Sequence, residues 1–138
     1  MTPNKLSLSD FLLSLKLSPR LVVELIVQNS EGSLFLLKRE SDPYIGTWHL
    51  PGGFLLKGEL LADCIDRLIK EELGVEPVSW EYLQLIEDID GDPRGHLLHY
   101  FVKLTKVVAP TTNGQHFNKI PNNVMPFQLP MLRKLGYK

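Results

Sequence analysis

Two hydrophobic rhythms alternate along the chain: short apolar runs bounded by turn residues, and stretches in which apolar positions recur at helical spacing. Residues 8–16 place Phe11, Leu12 and Leu15 on one face and stop before Ser18-Pro19, which predicts a short amphipathic helix. The runs LVVELIVQ and SLFLLKR flank Asn29-Ser30-Glu31-Gly32, and their alternation around turn chemistry predicts a hairpin. Pro51, Gly52 and Gly53 break the next extended segment, and a helix is expected from about Glu59 to Leu73, stopped by Gly74 just past its end. Two further strands, VSWEYLQLIEDI and HLLHYFVKLTKVV, are separated by the turn Asp90 to Gly95. A loop rich in Thr, Asn and Gly then leads to Gln115-His116, and a last helix is expected near Phe127 to Leu135. Strands interleaved with helices in this order indicate an α/β or α+β sandwich, with a mixed sheet between helices.

The central helix carries the first chemical signal. At 100° per residue, Leu61, Ala62, Cys64, Ile65, Leu68, Ile69 and Leu73 share one arc, and Glu72 falls in the middle of it. An ionised carboxylate on the buried side of a helix costs several kcal/mol unless it is paired or binds a cation. Either Glu72 sits at the rim and reaches water, or it ligates an ion; the Gly52-Gly53 turn upstream and the neighbouring Glu71 favour a divalent cation held by oxygen donors.

Composition narrows the setting. With 138 residues, 43% of them hydrophobic, residues 1–138 are expected to form one globular domain with a sizeable core. A net charge of -1 supplies no basic stripe for nucleic acid. The single cysteine, Cys64, excludes a disulfide within the chain and lies on the apolar arc, so a reducing cytoplasm is expected. No stretch is apolar over the length of a membrane span, and the N-terminus lacks a signal-peptide core.

From Gly53 to Val75 the chain reads GFLLKGELLADCIDRLIKEELGV, with glycine, Glu59, Arg67, Glu71, Glu72 and Gly74 at fixed separations. This resembles the Nudix box, G-x5-E-x7-R-E-U-x-E-E-x-G-U, matched at every fixed position except one: Leu68 stands where the box has a glutamate. The order of the other elements, including Trp48 ahead of Pro51-Gly52-Gly53, is similar to that family over nearly the whole chain. The resemblance implies a Nudix fold in which the loop and helix of the box hold Mg²⁺, or Mn²⁺ in its place, against the diphosphate of a nucleoside diphosphate linked to another moiety.

One branch, the GDP-mannose mannosyl hydrolases, resembles this chain in having leucine after the box arginine. It also has pairs like Lys38-Arg39, His99-Tyr100 and Gln115-His116 in the same order. That resemblance implies hydrolysis of a nucleotide sugar at its anomeric carbon, releasing a nucleoside diphosphate and a free sugar. The metal would be held by the Gly52 carbonyl, Glu72 and Gln115, His116 would be the general base, and Arg39 would stabilise the leaving group. Glu24 and Tyr100, with Arg39, would contact substrate, and the protein would be a homodimer joined through its N-terminal segments. The chemistry is coherent, because attack at carbon asks the metal only to neutralise the departing diphosphate, while a histidine activates water near neutral pH.

Plainer readings accompany these. Arg39 could be a solvated charge at a strand end, and Glu24 could face solvent from an edge strand. His49 and His99 read as core or supporting histidines bonded to backbone. Glu59 and Arg67 read as a structural ion pair bracing the loop, and Glu71 as either an acceptor for metal-bound water or part of a charged face. Two other functions stand beside the first: a Nudix pyrophosphatase cutting at phosphorus, and a non-catalytic nucleotide-binding module.

Overall fold

The computed structural model describes residues 4–42 and 44–138. In chain order the elements are α1 (Leu8–Leu17), β1 (Arg20–Ile26), β2 (Leu34–Lys38), β3 (Trp48–His49), β4 (Gly52–Phe54), α2 (Leu61–Leu73), β5 (Trp80–Asp88), β6 (Leu97–Leu104), β7 (Gly114–Phe117) and α3 (Gln128–Lys134). They form a four-stranded mixed sheet, β4-β1-β6-β5, and a three-stranded antiparallel sheet, β3-β2-β7.

β1 lies inside the mixed sheet, parallel to β6 and antiparallel to β4, and is covered on both faces. This is why its sequence is a nearly unbroken apolar run. Val23, Leu25 and Val27 pack with Cys64, Ile65, Leu68, Ile69 and Leu73 of α2, whereas Ile26 packs with Leu34, Leu36, Phe101 and, from α3, Met131 and Leu132.

The expected hairpin forms only at its tip. The side chain of Asn29 accepts from the backbone N–H groups of Glu31 and Ser33, and Phe35 N–H donates to the Val27 carbonyl at 2.8 Å. Beyond that point β1 and β2 enter different sheets, because both edges of β1 are already taken by β4 and β6. The same placement corrects the edge-strand reading of Glu24, which is 3% exposed within a central strand.

α2 begins two residues after the expected start and ends at Gly74, whose φ of +68° is a left-handed C-cap. A side chain there would also collide with Thr111. Ala62, expected on the buried arc, is exposed, and Glu72 is half-buried at the rim of the face that carries Leu68 and Leu73. α1 is capped by the Ser7 hydroxyl, which accepts from Asp10 N–H at 3.2 Å, and buries none of its residues. Its anchor is Phe11, which meets the Phe54 ring edge-on at 5.0 Å, with the Arg20 guanidinium lying over both rings.

Candidate functional site

A cleft of about 120 Å³ opens between the end of β2, strand β4, the C-terminal end of α2 and the β5–β6 loop. Glu24, Arg39, Gly52 and Glu72, four of the residues singled out from the sequence, line it together.

Gly52 and Glu24 are held by different devices. Gly52 belongs to edge strand β4, and Leu25 N–H donates to the Pro51 carbonyl at 2.8 Å while Leu55 N–H donates to Leu21. In an antiparallel ladder these bonds alternate, so Gly52 occupies a non-bonded position and turns its carbonyl away from β1. A side chain at Gly52 would strike the Val23 carbonyl and come within 2.9 Å of Glu24 Oε2, which is why glycine stands there. Glu24 is fixed by His99, whose Nδ1 lies 3.2 Å from Glu24 Oε1, both groups being buried. His99 therefore bonds a carboxylate, in contrast to the backbone contact expected of it. His49 does make that backbone contact, through Nδ1 to the Leu50 carbonyl at 2.8 Å, and it lines the same cleft.

The electrostatics favour a cation at the carboxylates. Desolvation pushes the Glu72 carboxyl above its ordinary range and the charge of Glu71 pushes it further; Lys5 opposes this, and Glu24 adds a weaker push of its own against Arg67. Desolvation lowers the Arg39 guanidinium, and the positive charge of Arg94 adds to that. Burial lowers the His49 imidazole below its ordinary value, with Arg39 and Arg94 acting in the same direction against the Leu50 carbonyl and Glu24.

The loop below is braced by Glu59 and Arg67. Arg67 Nε donates to Glu59 Oε2 at 2.7 Å and Nη2 to Glu59 Oε1 at 3.1 Å, while Nη2 also reaches the Phe54 carbonyl and Nη1 reaches Glu71. The pair draws the Glu59 carboxyl below its ordinary value through the Arg67 hydrogen bond. Beside it, burial pushes the Cys64 thiol up to about 12, so the cysteine is an inert packing group. Leu68, the departure from the box, is buried in the same cluster and packs against Gly53, where a Cβ would meet its Cδ2 at 2.7 Å.

Three of the anticipated residues lie elsewhere. Gln115 and His116 belong to β7, paired with Leu36 and Phe35 of β2, and neither lines the cleft. His116 packs its ring 5.2 Å from that of Phe35, and its Nε2 is buried with no hydrogen-bond partner among the described residues. Tyr100 stacks with Tyr82 at 5.0 Å and packs in the cluster that holds α2, on the opposite face of the mixed sheet from His99 and Phe101. The side-chain period of two places Tyr100 opposite His99 and turns His116 toward Phe35, with Gln115 exposed on the other side of β7. The loop before β7 instead closes the end of α2, where Thr112 Oγ1 donates to the Glu72 carbonyl at 2.5 Å and Thr111 N–H to the Leu73 carbonyl at 2.8 Å.

Among the described residues no cluster of three His, Cys, Asp or Glu side chains stands ready to hold a metal ion. The Gly52 carbonyl and the desolvated Glu72 carboxylate, with Glu24 alongside, nevertheless form an oxygen donor set suited to a hard divalent ion that draws its remaining ligands from a substrate. Arg94, Gln128 and His49 are the other polar side chains of the lining and were not among the site residues drawn from the sequence. Gln128 fixes the cleft wall by accepting from Leu50 N–H at 2.8 Å. Only the turn residues Asp92-Pro93-Arg94-Gly95 hinted that the β5–β6 loop carried a cation.

The model of the NUDIX domain matches residues 18–134, which is most of the chain. The chain belongs to the Nudix family. Among curated relatives, the ADP-ribose pyrophosphatase of Methanocaldococcus jannaschii is 37% identical over 84 residues, covering 61% of this chain and 49% of that protein. The low-salt glycan biosynthesis protein Agl8 of Haloferax volcanii is 34% identical over 86 residues, covering 58% and 54%. The aligned parts thus span about half the length of these relatives. The Nudix fold recurs in the MutT Nudix hydrolase of Burkholderia pseudomallei, with a TM-score of 0.68 and 23% identity over 78% of this chain and 91% of that one. It recurs again in the Nudix domain of Shewanella oneidensis NrtR complexed with ADP ribose, with a TM-score of 0.66 and 19% identity over 94% and 96%. Nudix hydrolases generally use divalent metals such as Mg²⁺.

Proposed function

We propose that this chain is a metal-dependent hydrolase of a nucleoside diphosphate joined to a second moiety, and that it attacks phosphorus. The reading is carried by one observation: the cleft gathers Glu24, Glu72 and the outward carbonyl of Gly52 beside the cation Arg39. Mg²⁺, with Mn²⁺ able to substitute, would be held by the Gly52 carbonyl and Glu72, and when bound would neutralise diphosphate charge and acidify a water. Glu24, fixed by buried His99, then accepts the proton of the attacking water, and Arg39 binds the diphosphate and stabilises the charge that develops on it. Glu59, Arg67 and Glu71 support the loop that presents Gly52 and Phe54. The name of the M. jannaschii relative, an ADP-ribose pyrophosphatase, supports ADP-ribose as the first substrate to try.

A second reading has support from Leu68. A buried leucine where the box has a carboxylate fits a site that neutralises a leaving diphosphate without having to activate water at phosphorus. On that reading the protein cleaves GDP-mannose or a related nucleotide sugar at the anomeric carbon, with Gln115 and His116 as ligand and base. Their place on β7, away from the cleft, weighs against it.

Incubation of ADP-ribose, GDP-mannose and other nucleotide sugars with Mg²⁺ in ¹⁸O-labelled water separates these. Label in a nucleoside monophosphate or sugar phosphate is the expected result. Label in a free sugar beside unlabelled nucleoside diphosphate would establish the second reading, and no turnover with any of them would leave a binding module. The proposal extends to residues 1–138 acting as one domain in the cytoplasm, and to a homodimer joined through α1, whose Leu8, Leu12, Leu13 and Leu17 are exposed. Light scattering that reports a monomer at micromolar concentration removes the dimer.

A further inference from the structure

Arg94 comes from the loop between β5 and β6, far in sequence from the box, yet it lines the cleft beside Arg39, Glu24 and Glu72. It is held more tightly than a surface arginine. Asp92, whose side chain is fully buried, accepts from Arg94 Nη2 at 2.6 Å, from Nε at 3.0 Å and from the Arg94 backbone N–H at 2.9 Å. The guanidinium also lies over two aromatic rings, Phe54 with its centroid 5.4 Å away and Phe127 at 5.6 Å. A planar cation fixed by a carboxylate on one edge and by ring faces has lost its rotamer freedom before any ligand arrives.

Such a holder specifies what the group can bind. Asp92 uses Nε and Nη2, and among the described residues no hydrogen bond occupies Nη1. The guanidinium therefore still offers donors to the cleft, with the fork geometry that matches phosphate oxygens. Burial lowers the Arg39 guanidinium most and Arg94 lowers it further, against the opposing charges of Asp92 and Asp42, so the two cations retain a mutual repulsion. An anion lying between the two would relieve it.

We infer that Arg94 is a substrate-binding residue, which together with Arg39 forms a two-cation subsite for the diphosphate group. The inference rests on the nucleoside diphosphate reading of the cleft. Asp92 acts here as a positioning residue: it aims the guanidinium and does not itself touch ligand. The β5–β6 loop thus belongs to the site, and the substrate is clasped from the side opposite in sequence to the box.

The test is calorimetric titration of the full-length protein with inorganic pyrophosphate in the presence of Mg²⁺, with thermal melting in parallel. Arg94→Ala leaves Asp92 buried and unpaired and could fail to fold, so the informative variant is the double change Asp92→Asn with Arg94→Gln, which keeps the shape and removes both charges. It should melt near the wild-type temperature and bind pyrophosphate about 10- to 100-fold more weakly. Arg94→Lys should recover part of the loss, and Arg133→Gln, on α3 outside the cleft, should bind as wild type does. Unchanged affinity in the double variant, with or without a drop in melting temperature, would overturn the inference and leave Arg94 a structural clamp for its loop. Failure of the wild type to bind pyrophosphate would overturn it as well. If the wild type binds pyrophosphate in an Arg94-dependent way but hydrolyses no nucleoside diphosphate derivative, the subsite stands and the proposed reaction falls.

Discussion

Two arginine–carboxylate pairs flank Phe54, and they do different things. In both, the carboxylate is buried and the arginine about one-fifth exposed, Glu59 with Arg67 at 2.7 Å and Asp92 with Arg94 at 2.6 Å. Arg67 commits Nε, Nη1 and Nη2 to Glu59, Glu71 and the Phe54 carbonyl, so it braces the box loop from within. Arg94 commits one edge to Asp92, lies over the Phe54 and Phe127 rings and lines the cleft with donors to spare. Burial and bond length are thus shared by a structural pair and a binding one. The distinguishing quantity is what remains of the guanidinium's hydrogen-bonding capacity and where it points.

Binding groups and bracing groups part most clearly where activity and stability separate. The largest effect is expected at Glu72: Glu72→Gln should cost roughly 10²- to 10³-fold in Mg²⁺-dependent turnover, a range typical for losing one essential electrostatic group, measured by product release. Its stability should move the other way. Because the Glu72 carboxyl is raised in the folded protein, the native state holds the proton more tightly, and above that raised pKa the ionised form weakens folding. Metal-free Glu72→Gln should therefore melt higher than wild type at neutral pH, and added Mg²⁺ should stabilise only the wild type.

Arg67→Gln should do the opposite at the brace, costing about 3 kcal/mol of stability because it strands the buried Glu59 charge, measured by urea unfolding. The same variant changes the acid limb. Glu59 is held below its ordinary value by Arg67, so the wild-type pair contributes stability above the unfolded carboxyl pKa of about 4.3 and loses it as pH falls through the lower folded value. Arg67→Gln should lack that decline below about pH 5.

The smallest effects should fall on β7. Gln115→Ala and His116→Phe are expected to leave turnover within about twofold of wild type, as changes outside a site usually do. His116→Phe, which removes a buried ring nitrogen with no partner among the described residues, should be neutral or slightly stabilising. A fall of ~10²- to 10⁴-fold for His116→Phe, the range for a lost general base, would restore the carbon-attack reading.

How well each element was read from the sequence follows from what fixes it. The period of 3.6 placed Cys64, Ile65, Leu68, Ile69 and Leu73 on the buried face of α2, and Gly74 marked its end, because helix geometry and caps are local. Glu59, Arg67 and Glu72 came with them, since their separations along one helix and its entry loop fix which way they point. The parting of β1 from β2 was not legible, because it depends on β4 and β6 occupying both edges of β1. Nor was the fate of Gln115-His116, whose facing depends on pairing with Leu36 and Phe35.

The sequence by itself determined the box, its brace, the half-buried carboxylate of Glu72 and the family, all of which depend on spacings within one continuous segment. Only the tertiary structure decided which distant residues share the cleft. Arg94 enters it because the β5–β6 loop folds over Phe54 and Phe127, and His116 stays out because one strand register sends it to Phe35. Such contacts join positions far apart in the chain, and no local period or cap encodes them.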